Sequence, residues 1–235
     1  MNFANVKKVK IPQGKVKHII KDDNVLWKSN TLPNIYQAVE WLRVENNIKA
    51  YINLGFTFDE SATIHLTQHI FTTGVTTYPF GAAEDSGIYR CCLSAPYSHR
   101  ASLYGSKGSD FISVVCDVVT DNDMGAKNEF ILTLREKELT IENLSINQKK
   151  TFVSQTKYSL TSDLYLFAQN YNGSPRFGGI RQISKFKYYD KNNNLICDLV
   201  PCYRKSDGEI GMYDLVRRIF LTNIGSGAFV KGADI

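Results

Sequence analysis

The chain has 235 residues, 43% of them hydrophobic, and a formal net charge of +5. That length and apolar content suffice for one large core, or one core with a small appendage, and exclude a disordered or fibrous chain. No apolar run reaches the about 20 residues of a membrane-spanning helix, and the amino terminus lacks the apolar stretch of a secretory signal; a soluble protein made in a cytoplasm is therefore expected.

The first 28 residues stand apart. They hold seven lysines against Asp22 and Asp23, an excess of five that equals the whole net charge, while the rest of the chain balances 21 basic against 21 acidic side chains. A neutral body argues against broad nucleic-acid binding, which needs a basic face to neutralise phosphates. The lysines suit either a grip on an acidic partner or the blunting of exposed strand edges.

In chain order, Val6–Ile11 reads as a short strand ended by Pro12–Gly14, Val16–Ile20 as a second and, after the turn at Lys21–Asn24, Val25–Trp27 as a third. Three short strands bury too little to be stable alone, so this unit is expected to dock elsewhere, with Trp27 and its neighbours Val25 and Leu26 as the anchor. The polar, Pro-containing stretch Ser29–Asn34 joins it to the body, which gives an attachment segment over 1–30 and a main domain over 31–235. Ile35–Val44 is open to two readings. Tyr36, Val39 and Leu42 have helical spacing, but strand entry fits as well.

The body alternates with period two. Phe130, Leu132 and Leu134 share one face, Arg135–Glu138 turns the chain, and Leu139 and Ile141 return it. Phe186 and Tyr188 alternate with Lys185 and Lys187, and Asp190–Asn194 supplies residues that tolerate a left-handed turn. Ser206–Glu209 plays the same part between Tyr203 and Ile210. Short alternating strands separated by turn chemistry predict an all-β sandwich. The five cysteines, Cys91, Cys92, Cys116, Cys197 and Cys202, form no C-x-x-C pair and read as reduced core residues.

Signatures of catalysis are missing. His65 and His69 have the spacing of a helical zinc pair, yet they sit in a β-branched alternating run, where residues four apart are about 13 Å apart. Asp121–Asp123 begins like a calcium loop without the later ligands. Glu84–Asp85 reads as a loop, and no E-x-D-x-E pattern of strand-borne glycosidase carboxylates occurs. No enzyme activity, metal or cofactor is expected. Binding then falls to loops, and two of them combine aromatic faces with planar polar groups suited to sugar rings and hydroxyls. One carries Tyr97, His99, Arg100 and Tyr104; the other carries Asn170, Tyr171, Asn172 and Arg176. Without a ligand, the tyrosines would cover the core and the asparagines would make the turn.

The succession Leu164–Ala168 (LYLFA), Lys187–Asp190 (KYYD), Leu199–Cys202 (LVPC), Gly211–Val216 (GMYDLV) and Thr222–Phe229 (TNIGSGAF) resembles the carboxy-terminal half of laminin-G-like, concanavalin-type jelly-roll domains of bacteriophage and prophage tail proteins. Val39–Leu42 (VEWL), Tyr51–Phe56 (YINLGF) and Phe80–Ala82 (FGA) extend the resemblance to nearly all of the chain after residue 35. The opening stretch through Trp27 is similar to segments that begin many phage tail proteins. The resemblance implies a jelly-roll sandwich preceded by a small β segment that attaches to the particle. It further implies a multicopy virion component in contact with other tail proteins, which binds host-surface polysaccharide or serves purely in assembly; a polysaccharide depolymerase is the remaining alternative.

Overall fold

The computed structural model describes residues 18–21, 24–28, 31–45, 49–58, 61–70, 77–84, 89–97, 100–107, 110–117, 127–135, 137–153, 160–176 and 180–235. Within 18–28, at 70 and 77, and within 89–114, it describes the backbone alone. The chain divides into two compact units, Met1–Thr31 and Leu32–Ile235.

In the first unit, β1 (His18–Lys21) and β2 (Asn24–Lys28) pair antiparallel, with Ile19 opposite Trp27 and Lys21 opposite Asn24. Val25, Leu26 and Trp27 all lie on β2. The strand expected over Val6–Ile11 lies outside the described residues.

The second unit is built from two sheets. The smaller runs β10 (Asp110–Asp117), β9 (Arg100–Lys107), β8 (Tyr89–Tyr97), β7 (Thr77–Glu84), β14 (Asp163–Leu166) and β5 (Ile52–Thr57), and carries a hairpin of β15 (Gln169–Tyr171) and β16 (Ser174–Arg176) beside β7. The larger runs β13 (Gln148–Val153), β12 (Glu138–Asn143), β11 (Lys127–Arg135), β6 (Ser61–Ile70), β17 (Arg181–Tyr189), β18 (Leu195–Arg204), β19 (Ile210–Asp214) and β20 (Ile219–Thr222). No helix occurs among the described residues. The ambiguous stretch after Ile35 forms β3 (Tyr36–Ala38) and β4 (Leu42–Val44), which pair with β18 and β17, while Val39 bridges to Asp234. Tertiary pairing at both strands decides against the helical spacing, a common outcome for a short segment whose own propensity is weak.

The core follows from the alternation. Along β11, Asn128, Phe130, Leu132 and Leu134 are buried while the residues between them are not, and Leu132 and Leu134 face Ile141 and Leu139 of β12 in register. Phe80, Phe130, Phe167 and Phe186 are fully buried, each worth about 1.5–3 kcal/mol of transfer free energy. The rings of Phe80 on β7 and Phe186 on β17 meet edge to face with centroids 6.0 Å apart, which locks one sheet on the other.

The motif residues after β20 close this core. The Asn223 side chain accepts from the amides of Tyr51 and Gly225 and donates to the carbonyls of Gly225 and Gly227. Gly225 lies so close to the entry of β5 that a Cβ there would sit 1.9 Å from the Lys49 carbonyl oxygen. Glycine is required at this position by the approach of another backbone.

Candidate functional site

The structure places Tyr97 and Arg100 apart from the second predicted binding segment. Tyr97 closes β8 and pairs with Arg100 at the start of β9, His99 lies outside the described residues, and Tyr104 is well inside β9 between Cys92 and Ser113. The stretch Tyr97–Tyr104 is therefore a hairpin end followed by a strand, where a binding loop was expected. The alternation of Ala101 and Leu103 with Ser102 and Tyr104 has the period of a strand; β10 pairs with β9 in unbroken register, and β8 pairs with it with one shift between Ser94 and Tyr97. The second segment sits at the other end of β7, where Tyr171 pairs with Ala83, itself opposite Arg90 of β8. From Arg90 to Tyr97 the strand advances roughly 23 Å, so the Tyr97–Arg100 end lies apart from this hairpin, while Tyr104 returns along β9 to the level of Cys92.

The Asn170–Arg176 hairpin is well defined. Tyr171 pairs with Ser174 across Asn172 and Gly173, whose φ values of 47° and 82° are both positive, as a type I′ turn demands. The Asn170 amide donates to the Asp163 carbonyl at 2.8 Å and its oxygen accepts the Gly173 amide at 2.8 Å, so this buried side chain is engaged within the fold. The Asn172 amide donates to the Ala83 carbonyl. Tyr171 and Arg176 remain at the surface, the first half-buried and the second exposed. The Arg176 guanidinium carbon lies 3.4 Å from the centre of the Tyr171 ring, a stacked arrangement that holds both planes in one orientation. A fixed aromatic ring beside a five-donor fork can engage a ligand's C–H face and its oxygen acceptors together.

The residues weighed for other chemistry have different employment. His65 and His69 lie on β6 in extended backbone. The His65 ring is 5.1 Å from that of Tyr189, and burial followed by the positive charges of Lys185 and Lys187 lowers its pKa despite Glu129. Glu84, expected in a loop, is the last residue of β7 and accepts from the amide and hydroxyl of Thr161 and the amide of Ser162. Burial opposes its ionisation, but these hydrogen bonds outweigh that and hold its carboxyl below the usual range. Asp121–Asp123 lies outside the described residues. Cys116, Cys197 and Cys202 are buried free thiols.

A hollow that sequence reasoning missed lies between the Ser206–Glu209 turn and the segment after β20. It is an open surface depression of about 340 Å3, lined by Asp207, Glu209, Ile210, Asn223, Ala228 and Phe229, of which only Phe229 is buried. In sequence the first group reads as a turn and the second as motif. Their convergence depends on β19 and β20 pairing as neighbours, which local patterns do not encode.

The architecture defines a laminin-G-like, concanavalin-type jelly-roll sandwich. Similar folds include domains LG4–5 of the mouse laminin alpha1 chain, at a TM-score of 0.50 and 12% identity over 75% of this chain and 47% of that one. The SAP-like pentraxin of Limulus polyphemus matches at 0.51 and 8% identity over 86% of this chain and 97% of its own. Tailspike protein 2 of the Escherichia coli O157:H7 bacteriophage CAB120 aligns at 0.44 and 12% identity over 66% of this chain and 25% of that one. The chain spans less than half the length of the laminin fragment it matches. No family model and no curated protein matches its sequence.

Proposed function

We propose that this protein is a structural component of a bacteriophage or prophage tail, attached to the particle through residues 1–30 and presenting its jelly-roll domain for binding of host-surface glycan. The observation that carries the reading is the division of the chain at Thr31 and Leu32. A segment holding the whole excess charge, and resembling the openings of tail proteins, belongs to a compact unit distinct from a neutral sandwich. A charged segment of this kind suits attachment to an acidic neighbour in the virion, and a sandwich displays its loops and hairpins for recognition. The stacked Tyr171 and Arg176 supply a surface of the right chemistry for a sugar. On this reading the protein is a multicopy virion part without catalysis, and Glu84 serves to fix the Thr161–Ser162 backbone.

Two measurements test it. Particles assembled with protein lacking Met1–Lys28 should be empty of it; normal occupancy would remove the attachment role. The labelled full-length protein should bind host-type cells and their purified envelope polysaccharide saturably, and Tyr171→Ala should weaken that binding. Assembly without any cell or polysaccharide binding would select a purely structural virion role, and release of reducing ends from the polysaccharide would select a depolymerase.

A further inference from the structure

With the Arg176 guanidinium carbon only 3.4 Å from the centre of the Tyr171 ring, the two planes lie nearly parallel, because an edge-on approach would drive guanidinium nitrogens into the ring. The five N–H groups lie in the guanidinium plane, so they point sideways and none is spent on the ring. Arg176 forms no hydrogen bond and no ion pair among the described residues. Its whole fork is therefore open to a ligand.

The hairpin holds that fork in place. Arg176 itself pairs with Gln169, and Tyr171 with Ser174 across the turn. The Asn172 amide donates to the Ala83 carbonyl, the Asn170 side chain to the Asp163 carbonyl, and the Tyr165 hydroxyl to the Gly173 carbonyl at 3.4 Å. Stacking already removes much of the rotamer freedom that an arginine loses on binding, which lowers the cost of capturing a ligand.

The charge around the fork is one-sided. The register partners running out from Tyr171 are Ala83 on β7, Arg90 on β8 and Ser106 on β9. A second cationic residue thus stands two strand spacings, about 10 Å, from Tyr171, and the row holds no carboxylate. The neighbouring acids are engaged within the fold: Glu84 accepts from Thr161 and Ser162, and Asp163 accepts the Asn53 side-chain amide at 2.9 Å. A planar fork of paired N–H groups matches an oxyanion bidentately. A neutral hydroxyl offers it neither the second oxygen nor the charge.

We propose that Arg176 takes an anionic group of the glycan bidentately, so that the polysaccharide recognised by this surface is an acidic one. The inference rests on the glycan reading above. Tyr171 acts through Arg176, as a positioning residue. A uronate carboxylate and a phosphodiester in the polymer backbone both supply the required oxyanion.

The test is retention of the full-length protein on immobilised polygalacturonate, a glycerol-phosphate teichoic acid, dextran and poly-glutamate, beside the envelope polysaccharide of host-type cells. The lysine-rich first 28 residues attract any polyanion, so the deciding variant is Arg176→Lys, which keeps the charge and removes the fork. It should weaken binding to an acidic glycan about tenfold. Tyr171→Leu should weaken it comparably, and Tyr171→Phe, which restores the ring, should bind as the native protein does. Preference for polygalacturonate assigns a carboxylate, and preference for the teichoic acid assigns a phosphate. Equal retention on dextran, or unchanged binding in Arg176→Lys, overturns the proposal. An Arg176-dependent preference for poly-glutamate overturns the saccharide assignment in favour of an acidic protein. Envelope polysaccharide bound equally by the native protein and Arg176→Lys leaves the glycan reading standing and removes the acidic requirement. Arg176-dependent binding of an acidic glycan, with none to the cells or their polysaccharide, removes the host-glycan reading and keeps the anion site.

Discussion

Arg217 ties Asp214 of the larger sheet to the smaller one. Its Nε donates to the fully buried Asp214 carboxylate, and a terminal nitrogen reaches across to the Leu54 carbonyl on β5. The other Asp214 oxygen accepts the amides of Asp198, Val216 and Arg217. Removing Arg217 strands a carboxylate inside the sandwich, which costs about 3–5 kcal/mol when a buried pair is broken. Arg217→Ala is therefore expected to lower the unfolding free energy by that amount in urea titration. A loss under about 1 kcal/mol would mean that water reaches the carboxylate.

The same carboxyl sets an acid sensitivity. Burial raises the Asp214 pKa, but the Arg217 pair and the amides of Val216, Asp198 and Arg217 outweigh it, so the folded value lies below the unfolded one. Its contribution is then fully present above the unfolded pKa of about 4 and is lost as pH falls through the depressed folded value. The stability gap between the native protein and Asp214→Asn should hold between pH 7 and pH 5 and narrow below about pH 4. A gap that stayed constant down to pH 2 would assign the effect to packing.

The loop after β20 gives a steric prediction. Gly225→Ala places a methyl 1.9 Å from the Lys49 oxygen, so one of two backbones has to move, and a loss of about 1–3 kcal/mol or more is expected. Asn223→Ala leaves the Tyr51 and Gly225 amides without their acceptor, a loss of roughly 2–4 kcal/mol. Thermal melts of the two single variants and the double variant should show less than additive losses, because both act on one loop. Full additivity would separate them.

Strands whose two faces meet different surroundings were legible in the sequence. Lys127–Arg135 alternates because one face meets the core and the other does not, and Asp190–Asn194 makes its turn as its residue types foretell, with Asp190 accepting the amides of Asn192 and Asn194 and with Asn193 at positive φ. The Tyr97–Tyr104 stretch misled because tyrosine, arginine and serine serve equally on loops and on the outer side of strands. Its strand character comes from β8 and β10 on either side, a long-range fact. Asn170 looked like a ligand contact because the chemistry that would bind a sugar also caps a turn, and here its oxygen caps the turn while its amide ties the hairpin to Asp163 of β14. The depression at Glu209 was hidden for the converse reason, since its two walls are separated in sequence and each has a local explanation of its own.

Tyr171 and Arg176 should matter for binding more than for folding. Their stacking is at the surface, where a cation–π pair contributes about 0.5–1 kcal/mol. Tyr171→Ala and Arg176→Ala are each expected to shift stability by no more than about 1 kcal/mol while reducing retention on envelope polysaccharide. A collapse of the fold in either variant would instead make the pair a support for the Asn172–Gly173 turn.

The buried thiols should be inert in the native state. Burial pushes the Cys202 thiol up to about 12, only slightly offset by the Tyr213 backbone, and raises that of Cys197 further, with the Asp214 charge adding to it and Arg217 opposing it. The reactive form is the thiolate, so neither sulfur is available near neutral pH unless the sandwich opens. Iodoacetamide labelling at pH 8, read peptide by peptide by mass spectrometry, should leave Cys197 and Cys202 unmodified in the folded protein and modify both in denaturant. In Arg217→Ala the two should label together and faster, at a rate that tracks the measured loss of stability when opening is in rapid equilibrium. Faster labelling of Cys197 alone would place the opening locally, at the Asp214 end of β19, rather than in the sandwich as a whole.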